Sequence, residues 1–122
     1  MPHCVLEFSD NIMDDADIPF MLEQLHHIIV ETGCCEERNI KSRAYRCKRY
    51  RMGNGKERNA FAHLTLRVLE GKPPELLENL GAAVLELLEG HYGQSLQRQR
   101  CDLTVEIVEM KRSRYFKVSS TR

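Results

Sequence analysis

The sequence has no excess of charge of either sign. Its 122 residues contain 18 Lys and Arg against 18 Asp and Glu, so the formal net charge is zero. A protein whose whole surface binds nucleic acid or anionic lipid carries a marked positive charge. The balance excludes both classes of partner as general surface ligands, so any electrostatic function has to be local.

Long apolar runs are also missing, and we expect no secretory leader. No uncharged apolar stretch approaches the roughly 20 residues of a membrane-spanning helix. The first residues have no basic segment followed by an apolar one, and Glu7 already interrupts them. The 42% of hydrophobic and 30% of charged residues exclude a disordered chain. We therefore expect one soluble, cytoplasmic domain over residues 1–122.

Motifs for metal binding and for nucleophilic hydrolysis are absent. The neighbouring pairs His26-His27 and Cys34-Cys35 lack the spacing of zinc ligands, so no metal site is expected. Five cysteines without a Cys-x-x-Cys pair predict reduced thiols. The sequence has no Gly-rich phosphate loop and no Gly-x-Ser-x-Gly elbow.

Hydrophobic periodicity predicts the element order βαββαβ. Apolar and polar residues alternate over His3–Ser9, from residue 60 to 68 and from 101 to 109, as in strands. Helical spacing of apolar residues begins near residue 17 and again near 74. Gly33 stands where the first helix should end, and Pro74 suits a helix start.

The remaining extended segment, residues 39–51, precedes Met52-Gly53-Asn54-Gly55. An Asn-Gly pair is typical of a tight turn, so we expect a hairpin that joins this segment to the strand at residue 60. The spacing of the elements repeats after about sixty residues, which predicts two βαβ units at about 2–58 and 59–118. The expected fold is α+β, a four-stranded sheet with two helices on one face.

Charge is unevenly distributed along the chain. Residues 10–37 contain eight acidic residues and no Lys or Arg, whereas residues 38–58 contain nine basic residues and one acidic residue. The basic segment has two interpretations: a solvated hairpin, or a site for carboxylate or phosphate groups, which arginine binds through a fork of donors. In the second, Lys41 and Arg43 are expected to face a pocket.

Pro2 is the candidate for chemistry. Removal of Met1 would leave a proline with a free secondary amine directly before the first strand. Burial and nearby cations disfavour the charged form of an amine, so such a group can act as a general base at neutral pH. The alternative is an ordinary chain terminus, and the dipeptide alone does not decide between them.

The whole chain resembles the 5-carboxymethyl-2-hydroxymuconate isomerase family of the tautomerase superfamily. The matching positions are Met-Pro-His at 1–3, Ser9-Asp10-Asn11-Ile12, Ala16-Asp17, Thr32-Gly33, Ile40-x-Ser42-Arg43, Met52-x-x-Gly55, Ala60-Phe61-x-His63-x-Thr65-Leu66, Gly71, Glu106-Ile107-x-Glu109 and Phe116-Lys117. Each is weak alone, but their order and spacing together are specific.

The resemblance implies a homotrimer and a reaction without cofactor or metal. In it, an amino-terminal proline, here Pro2, moves a proton 1,3 to turn a dienol carboxylate into its conjugated keto isomer, in bacterial catabolism of aromatic acids such as homoprotocatechuate. The resemblance also implies arginines for the substrate carboxylates at positions 41 and 72. This sequence has Lys41 and Lys72 there, with Arg43 nearby. Lysine keeps the charge but loses the fork of donors.

Two other functions remain open at this point. The order βαββαβ is also that of RNA-binding ferredoxin-like domains, and residues 38–58 are basic, but the first and third strands offer only Phe8 and Phe61 for base stacking. The second is a non-catalytic oligomer with the tautomerase fold. We expect a small anionic carboxylate as the partner, with neither nucleic acid nor membrane.

Overall fold

The computed structural model describes residues 1–120, and its elements follow the predicted order. The strands are β1 (His3–Ser9), β2 (Lys41–Cys47), β3 (Asn59–Leu69) and β4 (Arg100–Met110), and the helices are α1 (Ile18–Glu31), α2 (Pro74–His91) and α3 (Gly93–Arg98). Short 3₁₀ turns occupy Glu37–Asn39 and Arg112–Arg114.

The four strands form one mixed sheet in the order β2-β1-β3-β4. β1 runs parallel to β2, with His3 beside Lys41, and β3 runs parallel to β4. The two central strands are antiparallel, so that His3 also lies opposite Arg67. Because each parallel pair is connected through a long helix, the predicted α+β fold of tandem βαβ units is confirmed. The unit boundary near residue 58 stays a prediction.

Both long helices pack on one face of the sheet. The alternate residues of β1 and β3 that face them are buried, as are three residues from each helix. These core residues include Cys4, Leu6, Phe8, Ala62, Leu64, Leu66, Met21, Leu25, Ile29, Leu80, Val84 and Leu88. Val5, Glu7, His63 and Thr65 alternate with them and lie on the opposite face, which neither long helix covers.

The predicted hairpin between the second and third strands is wrong. β2 ends at Cys47 and pairs with β1, while β3 lies on the other side of β1. The parallel crossover through α1 places β2 at the sheet edge, so residues 48–58 have to cross the end of β1 before β3 begins. The turn itself exists, since the amide of Gly55 donates to the carbonyl of Met52 at 3.0 Å and both Gly53 and Gly55 have positive φ.

Helix α3 was not predicted, and its start depends on a residue far away in the sequence. The carboxylate of Asp14 accepts hydrogen bonds from the amides of Gln94 at 3.0 Å and Ser95 at 2.8 Å, and from the Ser95 hydroxyl at 2.6 Å. Those amides belong to the first turn of α3 and have no partner within the helix. Local sequence cannot reveal a cap supplied from the other half of the chain.

Candidate functional site

Pro2 lies directly before β1 and is buried. Its carbonyl accepts a hydrogen bond from the backbone amide of Lys41 at 3.1 Å, which continues the parallel pairing of β1 and β2. The chain start is therefore fixed to the sheet instead of extending into solvent. A terminal amine on Pro2 would occupy a defined position at this end of β1 and β2.

The surroundings of the chain start disfavour a positive charge. Burial lowers the pKa of the Met1 amine below its ordinary value, Cys35 and Cys34 oppose this, and the positive charges of Lys117 and Lys41 add to it. Lys117 reaches directly to this point, since its Nζ donates to the Met1 Sδ at 3.5 Å. An amine at this place is more readily deprotonated than one in water.

Lys41 and Arg43 are exposed and project from the sheet face opposite the helices. Arg43 Nη1 lies 3.2 Å from Nδ1 of His3, the residue next to Pro2. The Lys41 Nζ donates to the carbonyl of Asn39 at 3.2 Å. Of the three predicted carboxylate-binding residues, Lys41 therefore contacts Pro2 through its backbone, and Arg43 contacts the residue that follows Pro2.

Lys72, the third, lies in the connection between β3 and α2 and is half-buried. Burial raises the pKa of the Cys35 thiol, and the positive charge of Lys72 acts against that rise. Cys35 also acts on the amine of Met1. The positive charges of Lys72 and of the Met1 amine thus both act on the Cys35 thiol.

A cavity of about 450 Å³ lies at this end of the sheet. Its lining includes three cations and no acidic residue: Arg38, Asn39, Lys41, Tyr115, Lys117, Val118, Ser119 and Ser120. A larger cavity of about 720 Å³ lies at the opposite end, beside the start of β3 and β4. The smaller one is the candidate site, because it contains Lys41 and Lys117, the two cations that act on the chain-start amine.

Sequence reasoning gave no site role to His3, Tyr115 or Lys117. The Nε2 of His3 lies 2.9 Å from the Tyr115 hydroxyl, and the two rings meet edge to face. The only local signal for His3 was its position next to Pro2. Nothing in the sequence indicates that the segment after β4 returns to β1, because that depends on the 3₁₀ turn at Arg112–Arg114.

Two further histidines, His26 and His63, have ordinary hydrogen-bond partners. His26 Nε2 lies 2.7 Å from Ser42 Oγ. His63 lies 2.6 Å from Thr104 Oγ1 and 3.3 Å from Glu106 Oε1, on the uncovered face of the sheet.

Residues 1–120 contain no group of three or more His, Cys, Asp or Glu side chains arranged to hold a metal ion. The cysteines are free thiols, and burial raises the pKa of Cys4 to about 12. Over the same range, no helix has the length and apolar character to cross a membrane.

Comparison with known proteins identifies the family. The family model described as 5-carboxymethyl-2-hydroxymuconate isomerase matches residues 2–122. The chain belongs to this family of isomerases. A 5-carboxymethyl-2-hydroxymuconate Delta-isomerase from Escherichia coli is 29% identical over 117 residues, which are 96% of this chain and 93% of that protein.

Solved structures agree with this family assignment. A 5-carboxymethyl-2-hydroxymuconate isomerase from Deinococcus radiodurans R1 superposes with a TM-score of 0.90 at 26% identity, covering 98% of this chain and 90% of that chain. A more distant likeness, to a structure described as a fused 4-OT wild-type symmetric trimer, has a TM-score of 0.69 at 13% identity and covers 91% and 87% of the two chains. This second likeness shows the tautomerase fold alone.

The RNA-binding alternative is not favoured. The family match is to isomerases, and the sheet differs from the split βαβ arrangement of ferredoxin-like domains, because β1 pairs directly with β2 here. The non-catalytic alternative has no support from the family match either.

Proposed function

We propose that this chain catalyses a cofactor-independent keto–enol proton shift in a dienol carboxylate, with the amine of Pro2 as the acid and base after removal of Met1. The observation that carries the proposal is the position of Pro2, buried at the start of β1 and hydrogen-bonded through its carbonyl to Lys41, which lines a cavity with cationic walls. A base of this kind needs a fixed position and a depressed pKa.

The environment of the Met1 amine supports the depressed pKa. Burial there lowers the amine pKa, and Lys117 and Lys41 lower it further. Pro2 is itself buried and adjacent to the same groups, so its amine experiences the same influences once it is the terminus. These influences favour the neutral form of the amine, which has a lone pair available for a proton.

The proposed reaction balances without an oxidant or a reductant. The Pro2 amine takes the proton from the enol hydroxyl, which leaves a dienolate and a protonated amine. A carbon of the conjugated chain then takes the proton back from that amine while the carbon–oxygen double bond forms. The amine is neutral again at the end, and positive side chains stabilise the dienolate between the two steps.

The substrate we propose is 5-carboxymethyl-2-hydroxymuconate or a close analogue, in the cytoplasmic catabolism of aromatic acids such as homoprotocatechuate. The name of the Escherichia coli relative supports this choice. Lys41, Arg43 and Lys72 are the proposed ligands of the carboxylates. Their positive charges suit a substrate with several carboxylates, and the overall neutrality of the chain does not oppose this, because three cations, Arg38, Lys41 and Lys117, line the candidate cavity.

A homotrimer is the proposed assembly. The sheet face that contains Val5, Glu7, His63 and Thr65 is not covered by either long helix. Along the strands its residues alternate with core residues, and they include both apolar and polar side chains. When helices cover only one face of a sheet, the other face commonly packs against another layer of structure. The distant structural relative described as a symmetric trimer supports this number of subunits. Sedimentation velocity measures it directly.

The experiment that tests the proposed function is an ultraviolet assay of ketonisation with dienol mono-, di- and tricarboxylates. We expect the highest kcat/KM with the tricarboxylate, and at least a 10³-fold lower kcat for Pro2→Ala, whose primary amine is placed differently and is a different base. Ser9→Ala, at the other end of β1, is the control for changes in that strand. Full activity of Pro2→Ala would remove Pro2 from the mechanism, and no activity of the wild type with all three substrates would overturn the proposal.

A further inference from the structure

The candidate cavity contains one uncharged acid, the phenol of Tyr115. Tyr115 is half-buried and lies after β4, near the chain start. Its hydroxyl oxygen is 2.9 Å from Nε2 of His3, and the Nδ1 of the same imidazole is 3.2 Å from Nη1 of Arg43. Arg43, His3 and Tyr115 are thus connected by successive contacts, and Tyr115 is the one that lines the cavity.

The chemistry of the donors fixes the direction of both hydrogen bonds. A guanidinium can only donate, so Nδ1 of His3 has to accept from Arg43 and has no proton. The proton of a neutral imidazole is then on Nε2, which donates to the oxygen of Tyr115. Burial lowers the pKa of His3, and the charges of Arg43, Lys41, the chain terminus and Arg67 lower it further, in agreement with a neutral ring.

With the hydrogen bond in this direction, Tyr115 does not donate its hydroxyl hydrogen to His3. The phenol oxygen accepts from Nε2, and its own O–H is free to donate to a molecule in the cavity. If the imidazole were reversed, Tyr115 would donate to His3 and offer the cavity only a lone pair. The contact between Arg43 and His3 therefore decides whether the phenol of Tyr115 can donate a hydrogen bond into the cavity.

We propose that Tyr115 donates a hydrogen bond to the developing enolate oxygen of the substrate, and that His3 is a positioning residue that fixes the phenol in this orientation. The inference rests on the proposed function and adds a residue to it. A donor aimed at the oxygen that gains charge contributes more to the transition state than to the bound substrate. Lys41 and Lys117 neutralise charge in the same cavity, whereas the phenol offers a directed bond.

The first test measures ketonisation by Tyr115→Phe. We expect kcat to fall by about 10²-fold, in the range found when one donor to an oxyanion is removed, with KM changed less than threefold. Tyr45→Phe, which alters an exposed tyrosine of β2, is the matched control and should keep full activity. If Tyr115→Phe keeps its kcat while Pro2→Ala loses it, the inference is overturned and the proposed function stands. If the wild type itself is inactive, both fail.

A pair of His3 variants tests the positioning role of His3. The same pair tests the inference if Tyr115→Phe does not fold. The amide nitrogen of His3→Gln can take the place of Nε2 and donate to Tyr115, while His3→Asn is too short to reach it. We expect kcat of His3→Gln within about fivefold of the wild type and His3→Asn to lose as much as Tyr115→Phe. Equal kcat values in the two variants would contradict the positioning role.

The second test needs no turnover. Long-range ¹H–¹⁵N spectra of the full-length protein report which nitrogen of each neutral histidine has the proton. We expect His3, assigned by its loss in His3→Gln, to be the Nε2–H tautomer at pH 7, and to change its shifts in Arg43→Ala. A protonated Nδ1 would overturn the inference whatever the outcome of the activity assays.

Discussion

The backbone amide of Lys41 donates a 3.1 Å hydrogen bond to the carbonyl of Pro2. This bond begins the parallel register in which Lys41 lies beside His3 and Arg43 beside Val5. A shift of that register by one residue would turn both cations towards the helices. The fold therefore sets which side chains surround residue 2, and the strand edge that holds Pro2 also supplies the charges next to it.

Lys41→Ala should weaken substrate binding. Loss of one charge-assisted hydrogen bond to a carboxylate corresponds to about 10-fold or more in KM. Lys41→Arg should lower KM relative to the wild type, because it restores the fork of donors that two carboxylate oxygens can share. Steady-state kinetics on the tricarboxylate measures both changes.

The control for these variants is Lys56→Ala. Lys56 is an exposed lysine that lines the cavity at the other end of the sheet. A similar rise in KM for Lys56→Ala and Lys41→Ala would show that net charge matters and not the position of Lys41.

The pH dependence of kcat/KM should follow the Pro2 amine. The base has to be neutral, so activity is lost as the pH falls below the amine pKa and reaches a plateau above it. At the chain start, burial lowers the amine pKa, Cys35 and Cys34 raise it, and Lys117 and Lys41 lower it. Lys117→Ala removes a charge that disfavours protonation and should move the acid limb to higher pH. A movement to lower pH, or none, would contradict the electrostatic role of Lys117.

The cap of α3 by Asp14 should stabilise the fold at neutral pH and not in acid. Burial alone would raise the Asp14 pKa, but hydrogen bonds from Ser95 and Gln94 outweigh it and hold the pKa below its ordinary value. The charged form is thus favoured in the folded state, so the stabilisation is present at neutral pH and disappears as the pH falls through the lowered pKa. Asp14→Ala should cost about 1–2 kcal/mol at pH 7, as for other helix caps.

Urea unfolding at pH 7 and pH 3 measures the difference. Asp15→Ala, the exposed neighbour, is the matched control and should change the free energy of unfolding by less than about 0.5 kcal/mol. An equal loss for Asp14→Ala at both pH values would show that packing and not the charged cap is responsible.

Periodicity predicted the central part of the fold well, because β1 and β3 bury every second residue and the two long helices bury one stripe each. The bounds of β1, the approximate extent of α1 and the start of α2 followed from these patterns and from Gly33 and Pro74. The pairing of β2 failed because Asn54-Gly55 is a local signal, whereas β2 is placed by its contacts with β1. Local signals do not contain that information.

The candidate site, like the fold, was predicted from the sequence only in part. Pro2, Lys41 and Arg43 were predicted from sequence and resemblance, and the structure brings them to one end of the sheet. Tyr115 and Lys117 reach the site only because the chain turns back after β4. Their contribution follows from tertiary contacts with His3 and Met1, which no spacing in the sequence reveals.

The central claim is that the amine of Pro2 is the base, and the most direct measurement compares two forms of one sequence. One preparation is made with methionine aminopeptidase active and the other with that enzyme inhibited, and intact mass verifies that Met1 is absent from the first and retained in the second. In the second form the Pro2 nitrogen is an amide without basic character. We predict that ketonisation of the tricarboxylate dienol has a kcat/KM at least 10³-fold lower when Met1 is retained. Equal kcat/KM values for the two forms would contradict the account.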